Sequence, residues 1–132
     1  MEQGAFEKVS GWNLDPEMLP NQEKVADEAK VTFEAVGLGG MREADVIISI
    51  TSSFEAILGA DQVAPGTHLA CMGTDTKGKQ EVDPELLARA VVFTDEVAQS
   101  GSIGEAQHAV AQGLSGEGDV QQRGAVSKRA LI

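Results

Sequence analysis

Residues Val46-Ile47-Ile48-Ser49-Ile50 form a short, nearly continuous β-branched run. Such a run reads as a strand buried on both faces, as in a parallel sheet covered by helices. Thr51-Ser52-Ser53 ends it in hydroxyls. A second apolar run, His68 to Met72, is launched by the turn pair Pro65-Gly66 and ends in Gly73-Thr74-Asp75. Two buried strands thus deliver polar residues at their carboxyl ends, which is where ligands sit in open α/β sheets. The stretch 44–81 is therefore the centre of the fold and the candidate site.

The rest of the chain supports the same class. At 132 residues and 42% hydrophobic content it is one domain's worth, long enough to bury a core without staples. Phe6 to Asn13 reads as a strand with a solvent-facing start. Asp15-Pro16 is a cap-and-proline helix start, and Pro20 predicts a broken first turn, with a regular helix from Asn21 to Lys30. Val31 to Val36 alternates like an edge strand. Asp83-Pro84 repeats the helix start, with Leu86, Leu87 and Ala90 on one face, and Val91 to Asp95 is another short apolar run. From Glu96 to Gly113 the pattern is helical, interrupted by Ser100-Gly101-Ser102. Strands alternating with helices at this spacing predict an α/β fold: three-layer, Rossmann-like, a mainly parallel sheet of about five strands. Residues 1–118 form that partial domain and 119–132, glycine-rich and polar with a basic cluster, form a tail.

Ten Lys and Arg against 21 Asp and Glu give a formal charge of -11. That balance argues against nucleic acid or an anionic membrane as partner. One cysteine cannot form an internal disulfide, no run approaches a membrane span, and the amino terminus lacks the features of a signal peptide, so a cytoplasmic setting is expected. With one Cys and two well-separated His, no metal-ligand spacing exists. Gly37-Leu38-Gly39-Gly40 has to be weighed as a phosphate loop, but Arg42 stands where a third glycine is needed, and the helical turn that follows is too short to receive a pyrophosphate.

Ala44-Asp45-Val46-Ile47-Ile48, Thr51-Ser52-Ser53, Pro65-Gly66-Thr67-His68 and the G-x-D-x-x-G-K-x-E block from Gly73 to Glu81 resemble the ornithine cyclodeaminase and mu-crystallin family. Asp83-Pro84-Glu85-Leu86 and the Val91 to Asp95 strand continue the likeness, which covers roughly Phe6 to Gly118. The resemblance implies a Rossmann domain that holds NAD or NADP, with binding expected to be weak or absent in this chain alone, beside a separate domain that binds the amino acid and pairs the subunits. It also implies roles. Asp75 would be the catalytic carboxylate, Thr51, Ser52, Ser53, Gly73 and Lys79 would shape or contact the dinucleotide, and Asn13 and Asp15 would stand where a carboxylate meets the ribose hydroxyls.

Two features of the family pattern are not found in the sequence: the strand with its G-x-G-x-x-G loop, and the residues that grip the substrate. The chain accordingly resembles a truncated, internal piece of the family domain, not catalytic on its own; the alternative is part of an active cyclodeaminase or imine or alanine dehydrogenase completed by another segment. In the order 3-2-1-4-5-6 the strand not found is the central one, between Phe6–Asn13 and Val46–Thr51. Either those two strands pair directly, or a second copy fills the gap, and a homo-oligomer is expected.

The individual residues carry plain readings too. Asp75 could simply cap the turn into Gly78, and Thr51 to Ser53 could cap the turn that follows them. Lys79 and Glu81 read most simply as an exposed pair. Cys71 lies inside a strand and reads as core.

Overall fold

Proline and glycine set the element boundaries in the computed structural model, which describes residues 6–116 and 120–122. Strand β1 is Lys8–Gly11. Asp15 then caps a 3-10 turn at Pro16–Met18, its Oδ1 accepting from Glu17 N at 3.0 Å. Helix α1 follows at Leu19–Glu28. Pro20 falls in its first turn, where no amide donor is needed, so the break expected there is the change from 3-10 to α geometry. Lys30, at φ 57, closes α1, with Lys30 N bonded to Asp27 O and Val31 N to Ala26 O. Strand β2 is Thr32–Ala35, β3 Val46–Ser49 and β4 His68–Cys71. Asp83 caps α2, Pro84–Arg89, through Glu85 N at 2.8 Å. Strand β5, Val92–Thr94, precedes α3, Val97–Ser102, and α4, Gln107–Ala111. The break in this helical stretch lies after Ser102 and not within Ser100-Gly101-Ser102. Gly113, at φ 69, ends α4.

Among the described residues every strand pair is parallel, in line with the expected mainly parallel α/β arrangement. The pairing is more divided than one sheet of about five strands: β1 pairs β2, β3 pairs β4, and β5 pairs β6, Val120–Gln122, as separate two-stranded units. Strand β6 lies within the segment expected to be a tail. Among the described residues β1 and β3 do not pair with each other, so direct closure of the gap is not the solution adopted.

The core sits on one side of β3. Ile47, Leu58, Val82, Leu87, Ala106, Ala109 and Val120 form one buried cluster, joining β3, the Leu58–Val82 bridge, α2, α4 and β6. The expectation that β3 is buried on both faces is corrected here. Ile47 and Ser49 are buried, but Ile48 and Ile50 are 70% and 76% exposed. Alternate residues of a strand point to opposite faces, and only one face of β3 meets this cluster. The other face borders a cleft.

Candidate functional site

A cavity of about 1150 Å³ separates β1 from β3. Its walls include Trp12, Asn13 and Asp15 after β1, and Ile50, Thr51 and Ser52 after β3. Four of the residues singled out from sequence, Asn13, Asp15, Thr51 and Ser52, therefore line one space. Asn13 Oδ1 accepts from Asp15 N at 2.9 Å, a side-chain turn that shapes the exit from β1.

Ser53, Gly73, Asp75 and Lys79 are not among the cavity's lining residues. Ser53 does what a turn-capping hydroxyl does: its Oγ donates to Glu55 O at 2.6 Å and accepts from Glu55 N at 3.1 Å. Gly73 is buried directly against Thr51. An added Cβ there would stand 2.6 Å from both Thr51 N and Glu81 Oε1, so the position accepts no side chain without backbone movement. Lys79 reaches back along its own loop, its Nζ donating to Asp75 Oδ1 at 2.8 Å.

The residue that joins these pieces is Glu81. The expectation of an exposed Lys79–Glu81 pair is corrected, because Glu81 is 0% exposed. Its Oε1 accepts from Thr51 N at 2.5 Å, and its Oε2 from Ser49 Oγ at 2.9 Å and Gly73 N at 3.0 Å. Three donors converge on a group that offers only acceptors, so the buried carboxylate is satisfied.

A second bracket, which sequence reasoning missed, holds the 73–80 loop from outside. Glu105 Oε1 accepts from Glu81 N at 2.9 Å and Val82 N at 2.6 Å, while its Oε2 accepts from the Thr74 hydroxyl. Gln107 Oε1 accepts from Gly78 N at 2.8 Å, and its Nε2 donates to Thr76 O and Lys79 O at 3.3 Å. His108 Nε2 lies 2.9 Å from Lys79 O. These partners sit 23 to 31 residues from the loop, beyond any local pattern. The one available signal was the run Glu105-Ala-Gln-His108, polar residues in a stretch read only for its apolar face.

The electrostatics assign different duties to Asp75 and Cys71. Hydrogen bonds from Lys79 and then Thr76, with the Lys79 charge, hold the Asp75 carboxyl below its ordinary value. Asp75 is thereby an ionised acceptor near neutral pH, suited to facing a cation and poorly suited to donating a proton. Burial, reinforced by the Glu105 and Glu81 charges, pushes the Cys71 thiol up to about 12. From an ordinary value of 9.0 that is about a thousandfold less thiolate at neutral pH, so Cys71 in the folded chain is expected to react with a thiol reagent at pH 8 about a thousandfold more slowly than in denaturant. Equal rates, read by absorbance, would place the thiol outside the core. The same shift has a stability consequence. Between about 9 and 12 the unfolded thiol ionises while the folded one stays protonated, so this contribution to stability is present below about 9 and lost as pH rises to about 12.

Gly37 precedes, and Leu38, Gly39 and Gly40 begin, a 3-10 segment, Leu38–Glu43. A Cβ on Gly37 or Gly39 would meet nothing within 4 Å. A Cβ on Gly40, by contrast, would stand 2.9 Å from Val36 Cβ. Among the described residues no cluster of three or more His, Cys, Asp or Glu could hold a metal, and no helix is long and apolar enough to cross a membrane.

Comparison with known proteins bears on this arrangement. The profile of the ornithine cyclodeaminase/mu-crystallin family matches residues 1–129. An iminosuccinate reductase of Paracoccus denitrificans is 60% identical over 122 residues, which are 92% of this chain and 38% of the relative. The crystal structure of the iminosuccinate reductase of that organism in complex with NAD+ superposes with a TM-score of 0.87 at 58% identity, covering 90% of this chain and 37% of that one. An archaeal alanine dehydrogenase dimer with bound NAD gives a TM-score of 0.81 at 26% identity, over 86% of this chain and 35% of the other. The chain thus spans little more than a third of the length of these relatives.

Proposed function

Because the chain belongs to the ornithine cyclodeaminase/mu-crystallin family, we propose that it is the dinucleotide-binding part of an NAD-dependent reductase of α-imino acids, not catalytic by itself. The reaction would be imine plus NADH plus a proton giving amine plus NAD+. The observation that supports this reading most directly is that the cleft, which runs along both strands from Phe6 and Ala44, ends at the carboxyl ends of β1 and β3 among Asn13, Asp15, Thr51 and Ser52. That is the place where α/β sheets bind ligands.

The residues present fit part of a dinucleotide. Polar side chains after β1 suit ribose hydroxyls, and hydroxyls with a buried amide network after β3 and β4 suit the nicotinamide end; no glycine-rich turn for the pyrophosphate occurs among the described residues. When bound, the cofactor supplies the hydride. The chain's own share is electrostatic. Asp75, kept ionised by Lys79, would stabilise the positive charge of a protonated imine, and the Glu81 and Glu105 brackets would keep its loop in place.

Asp15 and the lack of an arginine beside it support NAD over NADP, because a carboxylate at the ribose repels a 2′-phosphate. Titration calorimetry with both, in oxidised and reduced forms, checks this. Tighter NAD binding is expected, and a preference for NADP would overturn the cofactor assignment. A homo-oligomer and a cytoplasmic setting belong to the same reading. Val46, Ile48 and Ile50 leave an apolar edge on the cleft, with Phe6 and Val9 across from them. Such contiguous apolar exposure is normally covered. Light scattering coupled to size exclusion at micromolar concentration should give at least a dimer; a cooperatively folded monomer would contradict it.

A further inference from the structure

We propose that Glu81 is a positioning residue: its buried carboxylate ties the loop after β3 to the loop after β4 and sets the placement of Thr51 against Gly73. The inference deepens the dinucleotide reading above and rests on it for its functional meaning. The last backbone bond of the β3–β4 ladder is Met72 N to Ser49 O, at 2.7 Å. Beyond it, among the described residues, no backbone hydrogen bond joins 50–53 to 73–76. Farther along, Gln80 N donates to Ser53 O at 3.0 Å and ties the loops at that end, but nothing in the backbone joins them at the strand exits. There the Glu81 carboxylate supplies the link, taking the Thr51 amide on one oxygen and the Gly73 amide on the other.

The anchor is itself fixed. Glu81 N and Val82 N donate to Glu105, and Glu81 O accepts from Ile57 N and Leu58 N, both at 2.9 Å. With the side chain fully buried, no water competes for the two amides, so the spacing of Thr51 against Gly73 is held by one rigid, planar group. A carboxamide cannot replace it. One of its two terminal atoms donates, and would face an amide that also donates.

Nuclear magnetic resonance on the chain as it stands tests this without relying on a ligand. Scalar couplings across the hydrogen bonds, from the Thr51 and Gly73 amide nitrogens to the Glu81 side-chain carboxyl carbon, are expected. In Glu81→Gln the amides of 51–53 and 73–75 should shift together while those of β1 and α1 stay in place, and NAD affinity should fall roughly 10- to 100-fold for the lost hydrogen bonds to a charged group. Absent couplings, with loop amides unmoved in the variant, would overturn the positioning role. Should Glu81→Gln not fold, Ser49→Ala removes one of the three donors and should move the same amides by less; shifts spread over the whole chain would reject the assignment. Couplings present with no NAD binding by the unaltered chain would leave Glu81 as the link and sink the dinucleotide reading instead.

Discussion

The purified 132-residue chain, supplied with NADH and an α-imino dicarboxylate, is expected to show no turnover above the uncatalysed rate. The reason lies in the surroundings of Asp75. Its side chain is 74% exposed, and its side-chain bonds go to Lys79 and Thr76 of its own loop. No described group is set to hold a substrate carboxylate beside it, and the cleft is open along β3. Holding reactants in place contributes about 7 to 11 kcal/mol in well-oriented reactions, or roughly 10⁵- to 10⁸-fold in rate. A correct carboxylate without that placement leaves the barrier almost where it was. Oxidation of NADH followed at saturating imine checks this; turnover that disappears in Asp75→Asn would contradict it.

Gly73→Ala is expected to destabilise the chain by about 3 kcal/mol, because its Cβ has no space and no soft neighbour to displace. The atoms it would meet at 2.6 Å are Thr51 N and Glu81 Oε1, the two ends of a hydrogen bond. Relieving the clash means moving the exit of β3 or breaking that bond, and either leaves a buried amide or carboxylate oxygen unpaired. By contrast, Gly39→Ala meets nothing within 4 Å and should leave the denaturation midpoint almost unchanged. The urea midpoints of the two variants, measured side by side, decide the point. Equal midpoints would mean that Gly73 is not wedged between these groups.

The local features were the readable ones. Asp15-Pro16 and Asp83-Pro84 start helical turns as their capping chemistry requires, Gly113 stops α4, and the two apolar runs become parallel partners with polar exits. Burial was less readable. A β-branched run reports strand preference but not what covers each face, so Ile48 and Ile50 looked internal and stand in the open. Glu81 carried the opposite error, since a glutamate two residues from a lysine looks like surface until its partners at Ser49 and Thr51, 30 or more residues away, are brought to it. Glu105, Gln107 and His108 were missed for the same reason. Contacts set by how strands lie side by side leave no periodic trace in the sequence.

The central claim, a dinucleotide seated at the ends of β1 and β3, is tested most directly by following the NAD titration residue by residue in an amide spectrum. The account predicts saturable shifts confined to 13–15, 51–53 and 73–75, with the amides of Gly37–Gly40 unmoved. Shifts centred on Gly37–Gly40, or none at millimolar NAD, would contradict it.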